Sequence, residues 1–275
     1  MTNIAERAER FVALHGTGCF VLPNAWDAGS ARLLAALGPV ALASTSAGAA
    51  WTFGRQDGAI TREMAVGNAA AILAETDLPV SADLEDGYGP APEDCALTVR
   101  AAGEAGLAGC TIEDTTGNPA APIHEFDAAL ARVKAAIAAA HALGRPFVLT
   151  ARAENFLHGR PDLEDTIRRL TAFAEAGADC LYAPALPDMA AIRRVVQAVA
   201  PKPVNVLAGP RAGLVPLAEL AAAGVRRVSV GGALARAAYA AAQDYARALL
   251  GGDLPRFAAI APHAAINGAM RGKAG

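Results

Sequence analysis

Three acids, Asp83, Glu85 and Asp86, fall within four positions of the stretch SADLEDGYG (81–89), directly after the apolar run LPV. Carboxylates this close repel one another, and each loses hydration where a buried strand ends, so the stretch calls for a positive partner. Asp83 and Glu85 are two apart and would face the same side of an extended strand. More candidates recur at the ends of other apolar runs: Glu113 and Asp114 in GCTIED, Arg152 and Glu154 in TARAEN, and Asp57 in the loop FGRQDG. Hard carboxylate oxygens with no histidine or cysteine beside them suit Mg²⁺ or Mn²⁺ better than zinc. Magnesium keeps several waters, so most of these acids would act through water. The competing structural role is an ion-pair network with Arg152 and Arg55, but one or two arginines do not neutralise four acids.

The elements that must position these residues follow from periodicity. Eight short apolar runs, 19–24, 40–45, 79–84, 109–114, 147–152, 180–185, 202–207 and 226–231, alternate with alanine-rich helical stretches such as 93–105, 125–142, 162–176, 188–199 and 214–223. Several of the helical stretches end in a glycine stop. Strand then helix, eight times in 275 residues, predicts an α/β fold of the (β/α)8 TIM-barrel type. VLPNAWDAGSA has no GxGxxG, which argues against a doubly wound nucleotide-binding sheet. A TIM barrel carries its chemistry at the C-terminal ends of the strands. There the sequence places Asn24 and Asp27; Ser44, Thr45 and Ser46; Asp83, Glu85 and Asp86; Glu113 and Asp114; Arg152 and Glu154; Asn205; and Ser229, with an apolar end at Ala183–Pro184. Asp27, Asp86 and Asp114 read individually as helix caps or loop residues.

Composition narrows the remaining possibilities. Hydrophobic residues make up 53% of the chain and the net charge is −3 with both signs interspersed, which gives no reason to expect a nucleic acid or an anionic membrane as partner. No apolar run reaches the ~20 residues that span a bilayer, and the N-terminus reads as a short amphipathic helix rather than a signal peptide. Cys19, Cys95, Cys110 and Cys180 form no CxxC pair and read as small core residues, which points to the cytoplasm. No linker divides the chain, so residues 1–275 read as one barrel domain with a helical tail over 233–275.

In that order, NAWDAGSARLL, STSAGAAWTFGRQDG, SADLEDGYG, GCTIEDTTG and TARAENF resemble the isocitrate lyase / phosphoenolpyruvate mutase superfamily, over about residues 10–240. The resemblance implies that Asp83 is the direct magnesium ligand and that Asp57, Glu85 and Glu113 hold metal-bound waters. It implies that Ser44, Thr45 and Ser46 serve a substrate carboxylate, that Arg152 binds substrate oxygens, and that Asn205 lies in the substrate site. The implied chemistry makes or breaks a bond next to an α-oxo acid enolate, with Arg152, Glu113 and Asp57 nearest the reaction. The implied partner is a small oxo or hydroxy carboxylate similar to 2-oxoglutarate or oxaloacetate. The implied assembly is a homotetramer whose C-terminal helices exchange between neighbours.

The chain departs from that family where the reaction is selected. The lyases carry a basic residue–cysteine–glycine–histidine motif after strand four; here the loop reads EDTTGNPAAPIHEF, with no cysteine, lysine or arginine. Their glutamate at the end of strand six is replaced by Pro184, and the mutases' loop lysine is also missing, leaving Asn118. His124 and His158 are the nearest titratable substitutes, and each also reads as a solvated loop residue. The expected function is a magnesium-dependent carbon–carbon lyase, 2-methylisocitrate lyase-like, acting on 2-hydroxy or 2-oxo di- or tricarboxylates. The alternatives are oxaloacetate decarboxylation, phosphonate chemistry of the mutase type, and oxo-acid binding without catalysis. A phosphate site at SVGGALAR (229–236) is a further possibility, since a glycine pair there precedes a helix.

Overall fold

The computed structural model describes residues 3–209 and 214–271. All eight apolar runs form strands: β1 (Phe20–Leu22), β2 (Leu42–Ala43), β3 (Val80–Asp83), β4 (Gly109–Glu113), β5 (Val148–Arg152), β6 (Cys180–Tyr182), β7 (Val204–Leu207) and β8 (Arg227–Ser229). They are parallel and ordered β1-β8-β7-β6-β5-β4-β3-β2. The gap between β1 and β2 is closed by the parallel bridge Asn24↔Ala43, so the sheet curls into a barrel. This is the (β/α)8 architecture that the alternation predicted.

The outer layer consists of α1 (Ile4–Leu14), α2 (Ala28–Ala35), α3 (Ser46–Thr52), α4 (Arg62–Ala74), α5 (Pro92–Glu104), α6 (Phe126–His141), α7 (Leu163–Ala176), α8 (Met189–Val199), α9 (Leu217–Ala222), α10 (Ala233–Leu250) and α11 (His263–Met270), with a 3-10 helix at Leu254–Ala259. Their starts follow from capping residues. Asp27, Thr61, Asp162 and Asp188 each accept a backbone N–H of the first turn, and satisfy a donor the helix itself cannot. Asp27 is therefore a helix cap, as its position suggested.

Two apolar clusters hold the barrel. The larger lies between sheet and helices, around residues such as Ile72, Val99, Ile112, Phe173 and Ile192. The smaller fills the lower barrel, where Phe11 of α1 packs with Phe20, Leu22, Val148 and Cys180. Gly109 is needed at the start of β4, because a Cβ there would sit 2.4 Å from the Val148 carbonyl oxygen. Cys95, Cys110 and Cys180 are buried and Cys19 is half-buried. Of the tail, α10 is helical but buries only Ala235, and α11 buries nothing. Residues 272–275 of the predicted tail lie outside the described residues. Among the described residues no helix is long and apolar enough to cross a membrane.

Candidate active site

A cavity of about 160 Å³ opens at the C-terminal end of the barrel. Seven of the predicted site residues line it: Ser44, Thr45, Ser46, Asp57, Asp83, Arg152 and Asn205. Glu85 and Glu113 stand behind this wall. The strands bring these residues together because their last positions share one rim: β3 pairs with β4 at Asp83↔Thr111, and β4 with β5 at Glu113↔Arg152.

Asp83 is held from four sides. Its backbone N–H donates to the Ser44 hydroxyl at 2.9 Å, one carboxylate oxygen accepts from Arg152 at 2.9 Å and Thr111 at 3.2 Å, and the other accepts the Ser46 N–H at 3.2 Å. The nearby Ser46 hydroxyl favours the charged form of Asp57. Two of the three hydroxyl residues assigned to a substrate carboxylate are thus engaged with the acids. Arg152 is the hub: it reaches Asp83 at 2.9 Å, Glu113 at 3.0 Å and Glu154 at 2.8 Å. Burial alone would lower its pKa, but the carboxylates of Glu113, Glu154 and Asp83 hold it well above the usual value. The Tyr182 ring lies 5.0 Å from its guanidinium carbon, a cation–π contact that fixes the plane of the fork.

The acid loop departs from the expected strand geometry. β3 ends at Asp83, so Glu85 is not on a strand. Glu85 and Tyr88 instead take left-handed conformations, φ 48° and 60°, a strained turn that swings Glu85 back toward Asp83 and Asp57. The surroundings enforce that turn. Arg132 of α6 donates to the carbonyls of Asp86 and Ala91, and Arg62 of α4 to those of Gly87 and Tyr88. Gly87, φ 89°, lies so close to α5 that a Cβ would come within 2.9 Å of the Cys95 sulfur. Asp86 accepts the Tyr88 N–H, as a loop residue does.

These acids are short of positive charge. Burial first, then the charges of Asp83, Glu113, Asp57 and Asp86, push Glu85 up to about 8. Burial, then Asp83, raises Asp57. Burial raises Glu113 to about 7 and Glu154 to about 8 although Arg152 opposes both. Arg55, the second arginine of the ion-pair alternative, donates instead to the Ala59 carbonyl. Among the described residues no three carboxylate, imidazole or thiol groups converge as a direct metal cage. An all-oxygen cluster with two acids, Asp57 and Asp83, at the cavity wall and others behind them fits a cation that keeps most of its waters, as magnesium does. The residues therefore fit the metal that the sequence suggested.

Sequence reasoning left Glu154, Thr111 and Tyr182 out of the site. Glu154 was visible on the rim, but its pairing with Arg152 was not. Thr111 is two residues before Glu113 and so shares its face, a signal that was available. Tyr182 is the last residue of β6, in a run whose end read as apolar. Asp114 is more than a loop residue: it is buried, accepts the Glu154 N–H at 2.8 Å and pairs with Arg169 at 3.1 Å. His124 and His158 do not line the cavity; burial lowers the pKa of both. The altered loop folds on itself through a Thr115↔Ile123 bridge. At SVGGALAR the N–H groups of Val230 and Gly231 both donate to Asn24, so they are not free to cradle a phosphate.

A TIM barrel with carboxylates and one arginine converging on its C-terminal rim defines an enzyme site for small anions. The comparisons give the family: the model for phosphoenolpyruvate phosphomutase matches residues 11–250, and the chain belongs to that family. A crystal structure of a protein from Burkholderia cenocepacia J2315, described as a lyase/mutase, is 52% identical and superposes with a TM-score of 0.92, covering 96% of this chain and 95% of that one. An uncharacterized protein of Mycobacterium tuberculosis H37Rv is 35% identical over 90% of this chain and 91% of its own. An oxaloacetate decarboxylase of Chromohalobacter salexigens is 30% identical over 85% and 82%. A 2,3-dimethylmalate lyase, named as a member of the PEP mutase/isocitrate lyase superfamily, shares the fold at 25% identity, a TM-score of 0.86 and coverage of 98% and 95%. The chain is thus an enzyme of a superfamily of carbon–carbon lyases and mutases that act on small carboxylates.

Proposed function

We propose that this enzyme is a magnesium-dependent carbon–carbon lyase for small 2-oxo diacids, and that decarboxylation of oxaloacetate is the reaction its site serves best. The observation that carries the reading is the cavity lining: its titratable groups among the described residues are Asp57, Asp83, Arg152 and Tyr182, with no lysine, histidine or cysteine. Cleaving a 2-hydroxy tricarboxylate needs a base for the hydroxyl proton and an acid for the departing carbanion, each worth ~10²–10⁴-fold. Loss of CO₂ from the C4 carboxylate of oxaloacetate, which is β to the oxo group, needs neither: the electron pair of the breaking C3–C4 bond stays on the substrate as the enolate of pyruvate, and water supplies the proton that completes the product.

In this reading Asp83 is the direct ligand of Mg²⁺ or Mn²⁺, while Asp57, Glu85 and Glu113 hold its waters. The metal, when bound, supplies Lewis-acid stabilisation for charge developing on the substrate's oxo oxygen. Arg152 commits four donor contacts to carboxylates, which leaves an Nη1 hydrogen for a substrate oxygen. Thr45 and Asn205 line the same cavity and offer polar contacts. The exposed Leu249, Leu250, Leu254, Ile260 and Ile266 of the tail support a homotetramer with exchanged C-terminal helices, testable by light scattering. The functional test is a side-by-side assay of oxaloacetate decarboxylation, 2-methylisocitrate cleavage and isocitrate cleavage with Mg²⁺. Oxaloacetate turnover should exceed the other two by at least about a hundredfold. Fast isocitrate-type cleavage would overturn the reading.

A further inference from the structure

Arg227, the first residue of β8, is 2% exposed and lies inside the barrel below the cavity. Its partners are all neutral: Nε donates to Asn205 Oδ1 at 2.9 Å, Nη2 to Thr150 Oγ at 2.9 Å, and Nη1 meets His15 Nε2 at 3.2 Å. Among the described residues it forms no salt bridge. A buried cation without a counter-ion is costly, and the cavity above it is lined by its partner Asn205.

The hydrogen-bond directions above Arg227 are forced. A guanidinium only donates, so the Asn205 amide must turn its oxygen down and its Nδ2 up. That Nδ2 donates to Ser229 Oγ at 3.0 Å. Ser229, having accepted, lies beside Tyr182 on the cavity wall. Tyr182 in turn carries the Arg152 guanidinium on its ring. Asn205, Ser229, Tyr182 and Arg152 all line the cavity.

We propose that Arg227 is a positioning residue for ligand binding: acting through Asn205, it fixes a one-way run of donors from the barrel floor to the cavity wall, so that this wall presents hydrogens to an anionic ligand. The inference rests on the reading of the cavity as an oxo-acid site and extends it to a residue that touches no substrate. Without Arg227 the Asn205 amide is free to flip, and half of its orientations would present an acceptor to the anion.

The test is a double-mutant cycle on affinity for oxalate, a planar dianion of enolate shape, measured calorimetrically with Mg²⁺ on variants whose melting temperatures are recorded. Arg227→Met should weaken oxalate about tenfold in the wild-type background, the scale of one misdirected hydrogen bond, and less than about twofold in the Asn205→Ala background. Arg227→Lys, which keeps a donor, should recover most of the affinity; if the methionine variant does not fold, Arg227→Gln, whose amide can donate or accept and so does not fix the direction of Asn205, carries the cycle. Equal losses with and without Asn205 would show that Arg227 acts through charge or general stability, and would overturn the proposal while leaving the oxo-acid site intact. Failure of the wild-type protein to bind oxalate at all would overturn both.

Discussion

Acidification should loosen the floor of the barrel, and His15 sets the size of the effect. His15 follows α1; its Nδ1 hydrogen goes to the Phe11 carbonyl at 2.7 Å, which leaves Nε2 as the acceptor for Arg227 at 3.2 Å. Phe11 and Phe20 enclose the ring edge-on at 4.8 and 5.2 Å. The other ionisable group facing this floor is the Cys180 thiol of β6, whose pKa burial raises, so no carboxylate offsets the guanidinium. Burial first, then the Arg227 charge, lowers the His15 pKa from 6.5 to about 3. The folded chain therefore binds fewer protons than the unfolded chain between those values. His15 costs nothing above pH 6.5, and stability falls as the pH drops toward 3. At ~1.4 kcal/mol per pH unit, pH 5 removes about 2 kcal/mol, and this figure is the same whether the folded pKa is 3 or 4. That is a large part of the ~5–15 kcal/mol that holds a typical domain. Urea unfolding at pH 7.5 and pH 5.0, for the wild type and for His15→Gln, isolates the term, because glutamine can bond both neighbours but does not titrate in this range. The wild type should lose about 2 kcal/mol more than the variant. Parallel losses in the two proteins would refute the reasoning and place the acid sensitivity elsewhere.

The acid rim yields three further expectations. Asp83→Ala should abolish Mg²⁺-dependent oxalate binding while leaving the circular dichroism spectrum unchanged; retained metal affinity would remove Asp83 from the site. Glu85→Gln should raise the melting temperature of the metal-free protein at pH 7, since burial and neighbouring acids already favour its neutral form, and should weaken Mg²⁺, read by titration calorimetry. Arg152→Ala leaves Asp83, Glu113 and Glu154 without their shared cation and should cost about 3–5 kcal/mol in urea unfolding, while Arg152→Lys should fold and bind oxalate at least about tenfold more weakly, having lost the planar fork.

The barrel was legible because its signal is repeated: eight apolar runs at strand length, each followed by a helix, leave few other arrangements. The ends of those runs then located Asp83, Glu113 and Arg152, since strand ends share a rim whatever the details of packing. What was not legible depends on local backbone and on side-chain direction. Glu85 joins the acids through a left-handed turn enforced by Arg62, Arg132 and Gly87, and strand alternation gave the right neighbour for the wrong reason. Ser44 and Ser46 read as substrate ligands, and their hydrogen bonds to Asp83 appear only when β2 and β3 are laid side by side. Arg227 sits in RRVSVG, where an arginine inside a strand reads as a surface charge. Nothing in the order of residues shows that it points inward to His15, more than two hundred positions away.

The two sides of the rim divide a single task. Asp83 at the end of β3, Glu113 at the end of β4 and Glu154 just beyond β5 surround Arg152 with more negative charge than it offsets, so in the proposed reading that side accepts an anion through an added cation. The β7 and β8 side holds Arg227 without a counter-ion among the described residues and turns the Asn205 Nδ2 group upward, so in the proposed reading it suits an anion directly. Order around the sheet sets β3 and β7 on opposite sides of the barrel. A ligand that satisfies both sides needs an oxo-acid end for the cation and a second polar or anionic end for the donors, and it must be short enough to lie across the barrel mouth. That combination excludes phosphate esters long enough to reach the glycine pair, whose N–H groups Asn24 already occupies. In the proposed reading the basic loop after β4 is dispensable: with both ends of a small diacid held from the barrel itself, bond breaking that releases CO₂ asks the loop for no proton.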